Sequence, residues 1–322
     1  MKAPGSLARF IQVRRHASKS IPPLLENLIK HHYNKNILDA GSPLHTCILP
    51  LFTTLSCDDQ DSVRLQTTTN CISLTEVLTS TQDASPSLDA VIQQRILPLL
   101  KSCIGDRSWR VRWTVASNFS KLSGYNLDEE YVGLTSDNES EVRIATLSQL
   151  AGVINARNKH IILEACQKAC DDANDGVRGE LAGEVTGLGE VFGKEGTTEK
   201  LLPIILKLMR DEDSEVRLRL IGGLGRLNAV VGVSMLSQSL LPSVMDLAVD
   251  KTWRVRLAII EEVPRLAVDL GVVFFGENFC SLCLSWLSDD CSSIRTAAAD
   301  NLMVSASCRV ALDGILTSIE GV

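Results

Sequence analysis

The sequence predicts an all-α solenoid built from stacked pairs of helices, and three observations support this prediction. A Val-Arg or Ile-Arg pair that has an Asp six residues before its Arg occurs seven times in the 322-residue chain. Successive arginines of this motif are 48, 31, 35, 39, 39 and 39 residues apart, as expected for one two-helix repeat per period. Between the motifs, apolar residues recur at every third or fourth position, which is the spacing of amphipathic helices.

Each repeat is predicted to contain a first helix, A, a turn that carries the Asp, and a second helix, B. Where the residue three before the Arg is Asp or Ser, it is predicted to cap helix B, at Asp61, Ser140, Asp175, Ser214 and Ser292. The Asp is expected to accept amide hydrogen bonds, and the Arg to bond a turn Asp of its own or the neighbouring layer. The resulting structural ladder consists of Asp58/Arg64, Asp106/Arg112, Asp137/Arg143, Asp172/Arg178, Asp211/Arg217, Asp250/Arg256 and Asp289/Arg295.

Residues 1–42 are predicted to be a divergent N-terminal segment. Residues 1–25 contain five Lys and Arg side chains and no acidic one, which is the composition of a mitochondrial targeting peptide. A frayed first helix fits the same stretch. The following apolar residues, up to Leu38, are predicted to form a helix that caps the array.

Residues 43–305 are predicted to form the seven repeats, and residues 306–322 a truncated C-terminal helix. Four A helices carry a Pro eight residues before the Asp, where the helix either begins or bends: Pro50, Pro98, Pro203 and Pro242. The first spacing contains nine extra residues, which we assign to an inserted loop at 79–87. The second spacing lacks eight, so the third A helix is predicted to shrink to about Leu127–Leu134.

Glycines are concentrated in the B helices of the fourth and fifth repeats. Each one costs helix stability, so this region is predicted to be either a flexing point or a place of close helix packing. The glycines are Gly179, Gly183, Gly187, Gly189, Gly222, Gly223 and Gly225.

Composition and motifs exclude several functions. The net charge of −7 argues against nucleic-acid binding, and no apolar run reaches the roughly 18 residues of a membrane span. The ten cysteines are interpreted as buried thiols, because the CxxC pair Cys280 and Cys283 has no second pair to complete a zinc site. No HExxH or GxSxG is present, and the glycines before Lys194 miss the phosphate-loop spacing by one residue. We therefore expect no enzyme activity, no cofactor and no metal.

Two of the seven turns contain a Trp-Arg pair, and these are the candidate partner-binding residues: Trp109, Arg110, Trp253 and Arg254. A Trp on a surface turn is costly unless a partner covers it, and Trp and Arg are enriched at interface hot spots. The alternative is a Trp folded back onto the adjacent repeat. Trp113 and Trp286 lie within helical runs and are predicted to be core residues. The other turns are acidic, which suits the helix dipoles and would also attract a basic partner surface.

The Pro, Asp and Arg spacing resembles the HEAT-repeat family, whose fold is a right-handed, armadillo-like superhelical solenoid. Three stretches look like the central repeats of the scaffold (A) subunit family of protein phosphatase 2A: LFTTLSCDDQDSVRL at Leu51–Leu65, DRSWRVRWTV at Asp106–Val115, and Leu236–Leu287. Similarity is densest between residues 200 and 300 and fades at both ends of the chain. The terminal repeats of that family are missing, which fits either a divergent paralogue or an incomplete gene product.

The resemblance implies a non-catalytic scaffold whose intra-repeat turns hold two proteins, a phosphatase catalytic subunit together with a regulatory B-type subunit. It assigns Trp109 and Arg110 to the regulatory partner, and Trp253 and Arg254 to the catalytic partner. The alternative is a HEAT adaptor for other proteins that has lost phosphatase binding. The resemblance implies a cytoplasmic protein, also present in the nucleus, whereas the basic N-terminus favours mitochondria.

Overall fold

The computed structural model describes residues 42, 44–80, 86–232, 239–270, 279 and 281–307, and every regular element in these ranges is helical. The predicted all-α helical-repeat fold is confirmed. The chain divides into two units, Met1–Val153 and Ile154–Val322. Within the described ranges, no helix has both the length and the apolar character needed to span a bilayer. The predicted targeting peptide, the capping helix and the C-terminal helix beyond Ser307 lie outside the described residues.

In the first unit, the described residues form three A–B helix pairs. The first pair is α1 (Leu49–Ser56) and α2 (Asp61–Ser80). Helix α3 (Pro86–Val91) leads into α4 (Leu97–Ile104), which pairs with α5 (Trp109–Ala116). The third pair is α6 (Asp128–Thr135) and α7 (Ser140–Leu147), followed by the single turn α8 (Leu150–Val153).

In the second unit, the described residues form four A–B pairs. The first is α9 (Lys159–Ala169) with α10 (Asp175–Val185), which continues into α11 (Gly189–Gly196). The second is α12 (Leu202–Leu208) with α13 (Ser214–Ile221) and α14 (Leu224–Val231). The third is α15 (Leu241–Ala248) with α16 (Trp253–Leu270), and the fourth is α17 (281–286) with α18 (Ser292–Ser307).

The Pro of the A helices marks a helix start that follows a widened helical turn. Each of these prolines lies in the first turn of its helix: Pro50, Pro98, Pro203 and Pro242. Three of these helices directly follow a π-helical turn that is described in full, at Leu44–Ile48, Ile92–Ile96 and Thr197–Leu201, and the described residues 239–240 before the fourth are π-helical as well. Because Pro has no amide hydrogen to donate, the wider turn joins the preceding segment to the new helix.

The apolar residue before each motif Arg lies in the core. Each of these side chains is 0% exposed: Val63, Val111, Val142, Val177, Val216, Val255 and Ile294. Each B helix therefore presents one branched aliphatic side chain inward in its first turn. The Arg that follows it is directed towards the turns.

One of the two breaks in the period differs from the prediction. Helix α2 continues to Ser80 and α3 begins at Pro86, so part of the insertion extends helices instead of forming a loop across 79–87. Residues 81–85 lie outside the described residues. The short helix α6 is present as predicted, one residue later. It is anchored by the buried Tyr131, whose hydroxyl donates to the Thr146 carbonyl at 2.9 Å and whose ring packs edge-on against Phe119.

At Gly223 the structure favours close packing over a flexing point. A Cβ atom at Gly223 would lie 2.1 Å from Thr186 Oγ1, so no larger residue fits against the preceding B helix. Gly193 has φ +69° and ψ 177°, a conformation that only glycine adopts readily. The glycines before Lys194 therefore belong to a kinked helix.

The cysteines follow the prediction only in part. Five are buried, Cys71, Cys103, Cys166, Cys170 and Cys283, and burial raises the pKa of Cys166 to about 12. Cys47 and Cys57 are exposed, because they flank α1 instead of lying on its inner face. Cys280 lies outside the described residues.

Candidate partner-binding turns

The turns between helices A and B share one backbone geometry that is set by their Asp. In all seven turns, Oδ1 of the Asp accepts a hydrogen bond from the amide two residues later, at 2.7–2.9 Å. This bond satisfies an amide at the start of helix B that has no acceptor within the helix. The acceptors are Asp58, Asp106, Asp137, Asp172, Asp211, Asp250 and Asp289.

The motif Arg closes the same turn from the side of helix B. Its Nη1 donates to the backbone carbonyl of the Asp six residues earlier, at 2.6–2.8 Å. The donors are Arg64, Arg112, Arg143, Arg178, Arg217, Arg256 and Arg295. Asp and Arg together therefore fix both ends of every turn.

The same guanidinium groups also bind the carboxylate of the next turn. Four pairs make two parallel bonds of 2.6–2.9 Å from Nε and Nη2: Arg64–Asp106 and Arg112–Asp137 in the first unit, and Arg178–Asp211 and Arg256–Asp289 in the second. The fifth pair is less well aligned. Arg217 Nη2 donates to Asp250 Oδ1 at 3.1 Å, whereas Nε lies 2.9 Å from Oδ2 without the direction of a hydrogen bond.

These bonds lower the pKa of four of the ladder carboxyls. Burial acts to raise the pKa of Asp106, Asp137 and Asp211, but the bonds from Arg and from the turn amide outweigh it, so each pKa lies below its ordinary value. The bond from Arg256 is the largest influence on Asp289 and lowers the pKa of that carboxyl. These side chains are thus engaged within the fold.

The predicted caps of helix B are displaced by one residue. Asp61, Ser140, Asp175, Ser214 and Ser292 are the first residues of their helices, and the residue before each occupies the cap position. Side chains cap the helix there at Asn174, which accepts from the Val177 amide, and at Asp213, which accepts from the Glu215 amide. The ladder Asp binds the amide of this preceding residue, which fixes it as the cap.

In the first unit, the Trp-Arg pair is held by the preceding turn. Trp109 is half-buried, and the exposed Arg110 guanidinium lies 5.3 Å from the centre of its ring. Arg110 Nη1 is 3.7 Å from Asp61 Oδ2, and the Ser108 hydroxyl donates to the same oxygen at 3.2 Å. Arg107 Nη2 donates to the Asp59 carbonyl at 2.9 Å. Both cations of this turn therefore already contact the preceding turn, Arg110 through a carboxylate and Arg107 through a carbonyl.

In the second unit, the Trp-Arg pair is more open. Trp253 is 40% exposed, and the Arg254 guanidinium lies 5.7 Å from its ring centre. Ser214 stands where the preceding turn of the other pair has Asp61, three residues before the motif Arg. Within the described part of the chain, neither Arg254 nor Lys251 forms an ion pair. Val249, 67% exposed, adds an apolar side chain to this turn.

The remaining two tryptophans differ from each other. Trp286 is buried as predicted, and its ring N–H donates to the Ala248 carbonyl at 3.0 Å. The prediction that Trp113 is a core residue is wrong, because its side chain is 43% exposed. Trp113 follows Trp109 by four residues and so shares its face of α5, a spacing that was available in the sequence.

Exposed acidic groups surround the ladder in other turns. Glu212, the most exposed of the ion-paired side chains at 91%, lies 3.8 Å from Arg178. Among the residues that the structure describes, no group of three or more His, Cys, Asp or Glu side chains is placed to hold a metal ion.

Two comparisons with known proteins bear on these turns. The family described as PIK3R4-like, middle domain, matches residues 23–246. The A-type regulatory subunit of protein phosphatase PP2A from Schizosaccharomyces pombe is 47% identical over 75 residues, which is 23% of this chain. The chain matches only 11% of the length of that relative. Both matches support a protein of the HEAT-repeat type.

Proposed function

The chain belongs to the PIK3R4-like middle-domain family, and we propose that it is a non-catalytic scaffold for a protein phosphatase 2A-type serine/threonine phosphatase. The identity to the A-type regulatory subunit of the yeast PP2A supports the phosphatase as the partner. The observation that carries the scaffold role is the exposed Trp253 at the start of α16. The Asp and the Arg of its turn bond to the turn itself, so they hold the backbone and leave the Trp side chain for a partner.

The two Trp-Arg turns are the binding positions that we propose. We assign the phosphatase catalytic subunit to Trp253 and Arg254, and a regulatory B-type subunit to Trp109 and Arg110. In both pairs the guanidinium lies over the indole ring, which orders two hot-spot side chains before a partner arrives. Ordering in the free protein lowers the entropic cost of binding.

A second candidate is an adaptor for other protein partners that has lost phosphatase binding. The family match supports it, because residues 23–246 are a far longer stretch than the 75 residues shared with the phosphatase subunit. The same Trp-Arg turns would then contact a different partner. The resemblance favours a cytoplasmic location, also in the nucleus, and the basic N-terminus favours mitochondria as the alternative.

The test is capture of a phosphatase catalytic subunit by the full-length chain and by Trp253→Ala. Loss of a hot-spot Trp should weaken binding by about 2 kcal/mol, roughly thirtyfold in Kd. Val268→Ala is the matched control, because Val268 is 79% exposed on the same helix, fifteen residues after Trp253. Circular dichroism should be unchanged in both variants, since both side chains are exposed.

Capture that is lost in Trp253→Ala and kept in Val268→Ala supports the phosphatase scaffold. Absence of any phosphatase bound to the unaltered chain supports the adaptor. If Trp253→Ala unfolds the protein, Trp253 stabilises the fold and the assigned binding position is wrong.

A further inference from the structure

The two Trp-Arg turns differ in the counter-ion that their cations receive. Arg110 has a carboxylate 3.7 Å away, supplied by Asp61 of the preceding turn. The preceding turn in the second unit has Ser214 at the matching position, and Arg254 forms no ion pair with the described residues. At this position, three residues before the motif Arg, the two preceding turns differ by a carboxylate.

The turn around Trp253 consequently has unbalanced positive charge. Its one acidic residue, Asp250, has its carboxylate bonded by Arg217 and by the Thr252 amide, with only 11% of the side chain exposed. The exposed charged groups are Lys251 and Arg254, on a chain whose net charge is −7. Acidic groups dominate the neighbouring turn, where Glu212 and Glu215 are exposed.

Apolar surface lies beside these cations. Val249 is 67% exposed at the end of α15, and Trp253 is 40% exposed at the start of α16. An indole ring with a guanidinium group over it offers a partner an apolar surface together with several N–H groups that can donate to one carboxylate. A free inorganic anion would leave this apolar surface uncovered, whereas a peptide segment would cover it.

We propose that the turn 249–254 binds an acidic segment of the partner protein, with an aliphatic side chain on Val249 and Trp253 and a carboxylate on Arg254. Lys251 provides a second cation for a neighbouring carboxylate. This inference rests on the proposed function only for the identity of the partner. The turn 106–110 is expected to show this preference less, because the Asp61 carboxylate already lies 3.7 Å from the Arg110 guanidinium.

The test installs the missing counter-ion without altering the binding side chains. Ser214→Asp places a carboxylate at the first residue of α13, where negative charge also suits the helix dipole. Ser214→Asn has nearly the same shape and no charge, and is the matched control. The probes are a labelled, end-blocked Glu-Leu-Glu-Leu-Glu peptide and the same peptide with Gln for every Glu, measured by fluorescence polarisation.

The unaltered chain should bind the Glu peptide about tenfold more tightly than the Gln peptide, and Ser214→Asp should remove that preference. Ser214→Asn should keep it, and Arg254→Gln should lose it. Equal binding of the two peptides by the unaltered chain, or a preference unchanged in Ser214→Asp, would overturn the proposal.

A second measurement separates this proposal from the proposed function. Capture of the phosphatase catalytic subunit should fall about tenfold in Ser214→Asp and stay constant in Ser214→Asn. Phosphatase capture that is insensitive to Ser214→Asp overturns the acidic-segment proposal and leaves the scaffold standing. Peptide discrimination without any phosphatase capture supports the acidic-segment proposal and contradicts the phosphatase scaffold.

Discussion

The turn at Trp109 and the turn at Trp253 have nearly the same amino-acid sequence, yet they present different surfaces. In both, the Asp binds the amide two residues later, the Arg binds the Asp carbonyl, and the second Arg covers the indole ring. The surroundings differ. Asp61 pairs Arg110 in one turn, while Ser214 leaves Arg254 without a carboxylate from the preceding turn in the other.

The comparison shows that the motif fixes the backbone and the preceding repeat decides the surface. Asp61, three positions before Arg64, contacts both Ser108 and Arg110 of the next turn, so one substitution there changes the charge beside a Trp-Arg pair. The ladder bond into each of these two turns also comes from the preceding repeat, and it is better aligned at Asp106 than at Asp250.

The largest expected effect is on the ladder bond into the Trp109 turn. Asp106→Ala leaves the Arg64 guanidinium, which is 5% exposed, without its carboxylate. Breaking a buried ion pair in this way costs about 3–5 kcal/mol. The free energy of unfolding from urea denaturation of the full chain is the measurement, and a loss below about 1 kcal/mol would contradict a structural role for this pair.

Asp250→Ala provides the comparison with the other turn. Arg217 loses one aligned bond there instead of two, so the cost should be smaller than for Asp106→Ala by about 1 kcal/mol. Asp106→Asn is the control, because its side-chain oxygen can still accept from the Ser108 amide while the charge is lost. An equal loss in the free energy of unfolding for the two Ala variants would show that the poorer alignment of the Arg217–Asp250 bonds does not affect stability.

The second effect is a loss of stability in acid. The pKa values of Asp106, Asp137, Asp211 and Asp289 are lowered in the folded protein, relative to about 3.9 in the unfolded chain. The contribution of these four carboxylates to the free energy of unfolding is therefore fully present above about pH 4, and it is lost as the pH falls through their lower pKa values in the folded protein. Urea midpoints should decrease below pH of about 4, and by less in Asp211→Asn. An unchanged decrease in that variant would contradict the ladder as its source.

The sequence predicted the ladder residues and the helical pairs well, because both depend on short, repeated spacings. The buried residue before each Arg followed from helix periodicity alone. The predicted cap position was wrong by one residue. The side chain of the ladder Asp bonds the amide two residues later and so fixes where helix B begins, whereas residue preferences for the cap position do not take this bond into account. The fit of Gly223 against Thr186 depends on how two helices approach, which spacing within one helix does not determine.

The prediction for Trp113 failed for a related reason. A Trp within an amphipathic helix is usually buried, yet α5 is only eight residues long and Trp113 lies on the face that it shares with Trp109. Exposure depends on which neighbouring helix covers that face. The difference between Asp61 and Ser214 was visible in the sequence, but its meaning required the distance from Arg110 to Asp61.

The third effect tests the surface of the first turn. Trp113→Ala should lower the free energy of unfolding by only about 1–2 kcal/mol, since the side chain is 43% exposed, instead of the 3–5 kcal/mol of a core Trp. Denaturation in urea measures this difference. Trp286→Phe is the buried control, because it removes the hydrogen bond to the Ala248 carbonyl. A loss above about 3 kcal/mol for Trp113→Ala would place this residue in the core after all.

The smallest effect concerns the counter-ion itself. Asp61→Ser should make the first turn resemble the second, because it removes the carboxylate beside Arg110. Exposed ion pairs contribute little, so the free energy of unfolding should fall by less than about 1 kcal/mol. Affinity for the Glu-Leu-Glu-Leu-Glu peptide should nevertheless rise, by about threefold over the unaltered chain, since Arg110 becomes available to a partner carboxylate.

Asp61→Asn distinguishes charge from contact, because its amide oxygen can still accept from the Ser108 hydroxyl. A rise in peptide affinity in both variants assigns the effect to charge, whereas no rise in either would show that Trp109 and Arg110 need more than a free cation to bind an acidic segment.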